Sequence, residues 1–352
     1  MIKFVKGNEA VVMGALYANC KAFFGYPITP ASEIAHCAAK YFTPLGRTFL
    51  QAECETASIN MLYGAGSAGV PAMTATSGPG FSLMQEGVSY MAGAELPGVV
   101  CDVMRAGPGL GNIFPEQGDY NQIVKGGGHG NYKVIVLAPG NVQEMCDITM
   151  LAFQLAFKWR TPVIVMADAM LGQMMEPLRL PAPAPELPDV KSWAVQGDAA
   201  TRPNLITSIF LDAAALGRHN VHLQEKYAQW QSEVRSETYK IEDADTVLCA
   251  YGVSARISRT AVDELRAKGL KVGLFRPITL EPFPVEAACK AVAGKRVISV
   301  ELSNGQFRDD LCLQIGKATG KVPNIELVSR MGGELIAVQD IVDTVVAGPA
   351  KA

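Results

Sequence analysis

The chain has 352 residues, which is enough for two domains at about 150 residues each. Charged residues make up 18% of the sequence and hydrophobic residues 49%, a composition that excludes a disordered chain and leaves apolar surface for partner proteins. The net charge of −3 excludes the basic surface that binding to a nucleic-acid backbone requires.

The first half of the chain alternates apolar runs with stretches of helical period. This alternation is typical of repeated strand and helix units in a parallel sheet, and it predicts an α/β fold. A helix is expected to start at Pro30, capped by Thr29, with Glu33 in its first turn. The predicted strands are 22–26, 48–51, 72–75, 98–104, 133–137 and 162–166.

A proline-rich segment, 178–189, interrupts this pattern and is expected to be extended and stiff. It is followed by a charged, helix-like stretch with acids and bases three and four residues apart, which favours a solvated connector. Alternation resumes after Asp245, with strands expected at 246–251, 271–275, 296–301 and 325–328. We therefore predict a first domain over 1–180, a connector over 181–240 and a second α/β domain over 241–352.

Targeting and metal-binding patterns are not evident in the sequence. The uncharged run 56–85 has the length of a membrane span but is broken by glycines and prolines, and the N-terminus lacks a secretory pattern. The eight cysteines contain no CxxC pair, and the four histidines contain no HxxxH or HExxH pair. We expect a cytoplasmic protein with no membrane segment and no local iron–sulfur or zinc site.

Three glycines, Gly64, Gly66 and Gly69, satisfy the GxGxxG pattern of dinucleotide-binding proteins. That pattern requires a preceding strand, whereas the residues before Gly64 have helical character. Close packing of a helix against a sheet therefore explains these glycines better than dinucleotide binding does.

Two segments near predicted strand ends carry candidate binding groups. GYPITPASE combines a strand end with a helix start, where exposed amides and hydroxyl groups can bind an anion or a carbonyl group, although an ordinary capped helix explains it too. Arg105 ends a strand, where ligands collect in open α/β sheets, and its side chain can hold a carboxylate with two hydrogen bonds. An exposed arginine without a ligand is the alternative.

Two acids, Glu53 and Glu55, lie between a predicted strand and an apolar helix. Alternation allows one of them to point outward and the other to be covered, and a covered carboxyl group can share a proton with a nitrogen base. A first-turn glutamate that stabilises the helix is an equally good local interpretation. The glycine-rich segment 115–132 also has the character of a functional loop, although its His129 on its own is more typical of a structural residue.

Taken together, these motifs resemble the alpha subunit of 2-oxoacid:ferredoxin oxidoreductases. The resemblance covers nearly the whole chain, and GPGLGNIFPEQGDYNQIVKGGGHGNY is most similar to the branched-chain type, which acts on 2-oxoisovalerate. The motifs that carry it are GNEAVVMGAL, FFGYPITPASE, QAECETASINMLYGAGSAG, TATSGPGFSLMQEG, ELPGVV, YGVSARI, FRPITLEPFP and ELSNGQF.

The resemblance implies a pyrimidine-type thiamine-diphosphate-binding parallel-sheet domain followed by a smaller domain like the C-terminal domain of transketolase. It also implies a beta subunit that holds Mg²⁺ and the diphosphate, in agreement with the absence of a GDG motif here. Gamma and ferredoxin-like delta subunits would carry the iron–sulfur clusters. The implied reaction is oxidative decarboxylation of a 2-oxoacid to acyl-CoA and CO2, with electrons passed to ferredoxin.

The resemblance also implies roles for individual residues. Glu55 resembles the glutamate that hydrogen-bonds the aminopyrimidine ring of the cofactor, and Arg105 the arginine that pairs with the substrate carboxylate. Thr29 resembles the residue whose hydroxyl touches the oxo or carboxylate group of the substrate. The residues before it, Tyr26, Pro27 and Ile28, are expected to contact the cofactor. No metal ligand is expected in this chain.

Two alternatives remain open at this point. The enzyme could act on 2-oxoglutarate or another 2-oxoacid: Lys125 or His129 in the side-chain pocket would favour 2-oxoglutarate, whereas Ile113 and Phe114 there would favour branched chains. The chain could also be a non-catalytic scaffold, an interpretation that the joint presence of Thr29, Glu55 and Arg105 disfavours.

Overall fold

The computed structural model describes residues 1–348, which form two open sheets, a small ribbon and the helices that cover them. The strands are β1 (Ile2–Lys6), β2 (Ala22–Gly25), β3 (Thr48–Gln51), β4 (Ala72–Thr76), β5 (Gly98–Met104), β6 (Ile135–Leu137), β7 (Pro162–Asp168), β8 (Met175–Arg179), β9 (Ser236–Tyr239), β10 (Thr246–Cys249), β11 (Val272–Pro277), β12 (Thr279–Glu281), β13 (Arg296–Glu301) and β14 (Ile325–Ser329).

The helices are α1 (Gly7–Tyr17), α2 (Ser32–Phe42), α3 (Glu55–Ser67), α4 (Gly78–Gly93), α5 (Tyr120–Val124), α6 (Val142–Trp159), α7 (Ala169–Gln173), α8 (Ala213–Gln229), α9 (Gly252–Ala267), α10 (Val285–Val292), α11 (Gln306–Thr319) and α12 (Val338–Ala347). Short 3-10 helices occupy Thr43–Leu45 and Trp230–Glu233. None of the helices within 1–348 combines the length and apolarity that crossing a bilayer demands.

The first sheet has seven strands in the order β12-β6-β7-β5-β4-β2-β3. Six of them run parallel, and β12 is antiparallel to β6. All residues of β4, β5, β6 and β7 are buried, because helices cover both faces of the sheet. The six strands predicted in this half are all present, which confirms the parallel α/β sheet.

Two apolar cores fill the space between this sheet and its helices. One contains residues of α1, α2 and α6, including Val12, Ile34 and Phe153. The other contains residues of α3 and α4 and continues into the second half of the chain through Tyr251 and Phe307. The two halves therefore share a core on the α3 and α4 side.

The second sheet has five strands in the order β14-β13-β10-β11-β9. Its four parallel strands match the four predicted in this half, and β9 adds to β11 in the antiparallel direction. The parallel sheet confirms the second α/β unit expected from the sequence.

Four strands were not predicted from the sequence, and three of these, β12, β1 and β8, pair distant parts of the chain. At the edge of the first sheet, β12 pairs with β6 through Thr279 and Leu137, although it lies in the second half of the sequence. This strand has only three residues and is flanked by Pro277 and Pro282, so it shows no periodicity. The other unpredicted strands are β9 and the ribbon pair β1 and β8.

The segment between the two main α/β patterns is largely irregular. Residues 181–190 form no helix or strand, as expected for the proline-rich stretch, and α8 is the charged helix expected after it. One side of this helical segment is nevertheless buried, because Leu223, Tyr227 and Trp230 join the first core. The division into 1–180, 181–240 and 241–352 stays a prediction.

Candidate active site

The site lies where the first sheet's strands end and faces the second half of the chain. The segment that contains Thr29 follows β2, Gly78 opens α4 directly after β4, and Arg105 follows β5. Since β2, β4 and β5 are neighbouring parallel strands, their carboxyl ends bring these residues to one edge of the sheet.

The guanidinium of Arg105 connects two loops at this edge. It donates a 2.8 Å hydrogen bond to the carbonyl oxygen of Thr29 and a 3.0 Å bond to that of Leu110. Its Nε is buried and has no acceptor among residues 1–348. The next residues form a compact loop in which Gly111 has a φ of +55°, and a Cβ there would overlap the carbonyl oxygen of Ala106. Arg105 and Thr29 are thus brought together.

The segment after β2 differs locally from the sequence expectation. Helix α2 begins at Ser32 with Ala31 as the capping residue, so the prediction that it starts at Pro30 with Thr29 as the cap was wrong. Residues 29–31 form a turn instead. The side chain of Thr29 is consequently not engaged as a helix cap, and the residue is exposed.

The residues before this turn form an open, extended segment. Tyr26 and Pro27 are exposed, Tyr26 with 39% of its surface, and Ile28 is half-buried. A partly exposed aromatic ring three residues before Thr29 gives this edge an apolar surface that a flat ring or another chain could cover.

Of the two neighbouring acids, Glu55 is buried with 5% exposure, whereas Glu53 is exposed. Glu55 is the first residue of α3, which Cys54 caps by accepting from the amide of Ala57 at 3.4 Å. Its carboxyl group lies under the start of α4, next to Gly80 and the hydroxyl of Thr76. The carboxyl group of Glu55 is therefore buried, and Gly80, which has no side chain, lies next to it.

Gly80 has no side chain where Glu55 needs room. A Cβ built at Gly80 would lie 2.5 Å from Oε1 of Glu55, so Gly80→Ala should displace the carboxyl group and lower the free energy of unfolding by about 1–3 kcal/mol. Gly64→Ala is the matched control, because nothing lies within 4 Å of its Cβ position in α3 and alanine favours a helix by about 1 kcal/mol. Chemical denaturation measures both, and equal stability of the two variants would contradict this packing.

A cavity of about 670 Å³ lies between the two halves of the chain, beside Arg105 and the start of α4, and neither Thr29 nor Glu55 lines it. Gly78, Pro79 and Arg105 line it from the first half, and a polar loop after Arg105 contributes Glu116 and Asp119. The residues lining it from the second half are Ser303, Asn304, Gln306, Met331 and Gly332.

Several of these residues were not singled out in the sequence analysis. Glu116 accepts from the amide of Gly107 at 2.7 Å and from that of Gly332 at 3.0 Å, so it ties the loop after Arg105 to the second half. The sequence did indicate this region, because Glu116 and Asp119 lie in the polar, glycine-rich stretch 115–132, which has the character of a functional loop. Contacts between distant segments decided which of its residues face the cavity.

Gly64 and Gly66 of the GxGxxG pattern lie inside α3 and do not follow a strand. A Cβ on Gly66 would lie 2.6 Å from the carbonyl oxygen of Pro97. Gly66 therefore serves helix packing, as expected, whereas nothing lies within 4 Å of a Cβ built at Gly64. The cysteines are all free, and no three ligand-type side chains cluster around a possible metal position within 1–348.

Comparison with known protein families identifies both halves of the chain. A model described as pyruvate flavodoxin/ferredoxin oxidoreductase, thiamine-diphosphate-binding, matches residues 13–243, and one for core domain II of pyruvate:ferredoxin oxidoreductase matches residues 244–341. The chain belongs to the 2-oxoacid:ferredoxin oxidoreductase family. This confirms the resemblance that the motifs indicated.

Within the 2-oxoacid:ferredoxin oxidoreductases, curated relatives indicate the branched-chain type. The chain is 58% identical to the ketoisovalerate oxidoreductase subunit VorB of Methanothermobacter thermautotrophicus, covering 99% of each chain. It is 60% identical to VorB of Methanothermobacter marburgensis, covering 96% of each. Identity falls to 36% with the 2-oxoglutarate synthase subunit KorA of Methanocaldococcus jannaschii, over 95% of this chain and 96% of that one.

Solved structures agree with the family. A 2-oxoglutarate:ferredoxin oxidoreductase from Magnetococcus marinus, with 2-oxoglutarate, coenzyme A and succinyl-CoA bound, superposes with a TM-score of 0.84 at 30% identity. The match covers 98% of this chain but 65% of that one, so the present chain spans about two thirds of that relative. A split-gene transketolase, at 13% identity and a TM-score of 0.59, shares the fold.

Proposed function

We propose that this chain is the substrate- and cofactor-orienting subunit of an enzyme that oxidatively decarboxylates a branched-chain 2-oxoacid to acyl-CoA and CO2, and passes the electrons to ferredoxin. The observation that carries the proposal is the 58% identity to a ketoisovalerate oxidoreductase subunit over 99% of both chains. The arrangement of Thr29, Glu55 and Arg105 at one edge of the first sheet supports it.

The buried carboxyl group of Glu55 fits the aminopyrimidine end of thiamine diphosphate. It lies beside a glycine whose Cβ would fill the adjacent space, and its side chain is buried. Glu55 would hold a proton between its carboxyl group and a ring nitrogen. When bound, thiamine diphosphate supplies the carbon nucleophile and the electron sink for decarboxylation. Tyr26, Pro27 and Ile28 would contact the cofactor from the exposed segment after β2.

Arg105 would bind the carboxylate of the oxoacid. Its two bonds to loop carbonyl groups hold the guanidinium in place, and a fixed guanidinium orients a carboxylate with little loss of entropy. Thr29 is exposed and its carbonyl oxygen accepts from Arg105, and its hydroxyl would hydrogen-bond the oxo or carboxylate group. Both residues orient the substrate, and neither has to exchange a proton with it.

Among the described residues that line the cavity, Arg105 is the only base, so the lining offers no second cation for the side-chain carboxylate of 2-oxoglutarate. The ammonium group of Lys125 pairs with Asp310, and the ring of His129 packs edge-on against Tyr90, so neither base lines the cavity. The apolar side chains of Ile113 and Phe114, in the loop after Arg105, are 55% and 59% exposed and do not line the cavity either.

Partner chains complete this proposal. A beta subunit would hold Mg²⁺ and the diphosphate of the cofactor, since the sequence has no GDG motif. Gamma and ferredoxin-like delta subunits would carry iron–sulfur clusters, since the sequence has no CxxC pair. We place the assembled enzyme, with its substrate coenzyme A and its acceptor ferredoxin, in the cytoplasm.

The shared cofactor site leads to a prediction about the isolated chain. Purified alone, it should bind thiamine diphosphate so weakly that calorimetry detects no heat above dilution, because the charged tail of the cofactor has no partner here. Adding the co-expressed beta subunit with Mg²⁺ should restore binding. Tight binding by the isolated chain would contradict the shared site.

The substrate assignment is tested on the complex that co-purifies with a tagged copy of this chain. We expect coenzyme A-dependent reduction of a one-electron acceptor with 2-oxoisovalerate, and much slower reduction with 2-oxoglutarate. A preference for 2-oxoglutarate would overturn the branched-chain assignment, and inactivity with every 2-oxoacid would point to a scaffold subunit.

A further inference from the structure

Two acidic side chains lie together behind Arg105. Asp102 is in β5, three residues before Arg105, and is fully buried. Asp119 directly precedes α5 and lines the cavity. Within residues 1–348, no nitrogen or hydroxyl donor reaches either carboxylate oxygen of Asp102. The roles proposed above use neither residue.

The carboxyl of Asp102 pairs with that of Asp119, and Oδ2 of Asp119, like both oxygens of Asp102, is buried with no nitrogen or hydroxyl donor among the described residues. Ionised carboxylates accept hydrogen bonds but cannot donate them, so a bond between the two groups requires a proton on one of them. Burial, with the neighbouring charge of Asp119 added, raises the pKa of Asp102 well above its usual value. Asp102 is therefore the member that holds the proton at neutral pH.

Asp119 is the member that titrates near neutral pH. Burial raises the pKa of Asp119 to about 6, and the charge of Glu116 adds to the rise. The Gln122 amide, the Arg105 charge and the Asp102 hydrogen bond act in the opposite direction, because they favour the ionised form. The Gln122 amide donates to its Oδ1 at 2.6 Å.

The other charged and titratable groups around this pair are few. Arg105 and Glu116 face it from the cavity side, and Tyr251, which precedes α9, faces it from the second half of the chain. The pKa of Tyr251 is raised well above its usual value, by burial first and then by nearby carboxylates, so this phenol stays neutral. The charges that act on Asp119 are thus those of Arg105 and Glu116.

The cavity has an excess of negative charge for a site that binds an anion. Among the described residues that line it, Arg105 is basic, whereas Glu116 and Asp119 are acidic. A carboxylate bound at Arg105 would add a third negative charge beside Asp119, and a nearby like charge raises the pKa of a carboxyl group. Ligand binding therefore favours protonation of Asp119.

We infer that Asp102 and Asp119 form a proton-sharing positioning pair, which takes up one further proton from solvent when the carboxylate of the 2-oxoacid binds at Arg105. This inference rests on the proposed function of Arg105. The uptake forms one O–H bond on Asp119 and moves no electrons, and the proton comes from water or buffer. The bound carboxylate then faces one cation and one remaining anion, Glu116.

The coupling has a definite sign with pH. Below about pH 5, Asp119 already carries its proton, so binding needs no uptake and affinity is highest. Above pH 6 Asp119 is ionised in the free enzyme, and each binding event has to draw a proton from solvent. Affinity should therefore fall as pH rises, by at most about tenfold per pH unit.

The test uses the assembled complex loaded with thiamine diphosphate, and 2-hydroxy-3-methylbutanoate as the probe. This hydroxy acid keeps the carboxylate and the branched chain but has no keto group to react. Calorimetric titrations in buffers of different ionisation enthalpy give the number of protons taken up per bound ligand. We expect proton uptake to be close to none at about pH 5 and greatest above about pH 6, between the pKa of Asp119 in the free and in the bound complex.

Variants separate this inference from the proposed function. Asp119→Asn should abolish proton uptake and make affinity independent of pH, whereas the exposed control Asp189→Asn should change neither.

The variants of Asp102 test its role as a donor. Asp102→Ala removes a donor to Asp119 and should shift the proton uptake to higher pH. Asp102→Asn, whose amide can donate instead, should restore the original pH range. Infrared spectra should show a protonated carboxylic acid band that Asp102→Asn removes.

Each outcome bears on one of the two proposals. If Arg105→Ala binds the hydroxy acid as tightly as the unaltered complex, the proposed role of Arg105 fails. If binding requires Arg105 but takes up no proton from about pH 5 to about pH 8, or if uptake persists in Asp119→Asn, the proton-sharing pair is refuted and the role of Arg105 stands.

Discussion

Replacing Glu55 with glutamine is expected to abolish 2-oxoacid decarboxylation while the complex still assembles. Glutamine has nearly the same shape and would fill the buried space beside Gly80, so the first sheet and α3 should keep their packing. The amide cannot share a proton with a ring nitrogen as a carboxyl group does, and losing such a group costs about 10²- to 10⁴-fold in rate. Single-turnover release of CO2 measures this step directly.

The matched control is Glu53→Gln, two residues earlier and exposed. It removes the same charge and should leave turnover within about twofold of the unaltered enzyme, because exposed substitutions away from a site have small effects. Size-exclusion chromatography with a thiamine diphosphate assay shows whether each variant still assembles and loads cofactor. Near-normal CO2 release by an assembled, loaded Glu55→Gln complex would refute the assigned role.

Removing the guanidinium with Arg105→Ala should chiefly raise KM for the 2-oxoacid. Hydrogen bonds to charged groups contribute about 1.5–3 kcal/mol, which corresponds to roughly 10- to 100-fold in affinity. The KM for coenzyme A should stay unchanged, because that substrate does not depend on the oxoacid carboxylate contact. Arg105→Lys should recover only part of the loss, since an ammonium group cannot form the paired bonds of a guanidinium.

Arg105 also bonds to the carbonyl groups of Thr29 and Leu110, so a loosened loop has to be distinguished from a lost ligand. A loosened loop would lower thermal stability and kcat together, whereas a lost ligand raises KM at unchanged stability. The exposed Arg202→Ala serves as the matched control for charge. Unchanged KM and kcat in Arg105→Ala would contradict its role.

Much of the fold could be predicted from the sequence because the central strands are buried on both faces. Strands β5 and β13 match their predicted bounds, since continuous apolar runs between helical stretches leave few alternatives. The edge strand β12 carries no such signal. β12 has three residues, and its place in the first sheet depends on a partner strand more than a hundred residues earlier in the sequence.

The candidate site could be predicted in part. Helix-start chemistry allowed either Glu53 or Glu55 to be the covered acid, and the structure covers Glu55, with α4 packed over it. The start of α2 was placed two residues too early, because Thr29 and Pro30 satisfy the local preferences of a helix start while Arg105 holds the Thr29 carbonyl outside the helix. The Asp102 and Asp119 pair had no sequence signal, since it forms only when a loop folds back over the sheet.

The strand β12 also limits how this enzyme can admit its substrates. Because β12, from the second half of the chain, is hydrogen-bonded to β6 in the first sheet, the two halves cannot separate without breaking the hydrogen bonds between these strands. The side chain of Gln117 forms a second connection between the halves: it donates to the carbonyl oxygen of Tyr251 at 3.0 Å and accepts from the amide of Leu302 at 2.9 Å. Substrates and products therefore have to enter and leave through the loops at the rim of the cavity. The rates of substrate binding and product release should respond to substitutions at 106–115 and 331–335 rather than to any hinge between the halves.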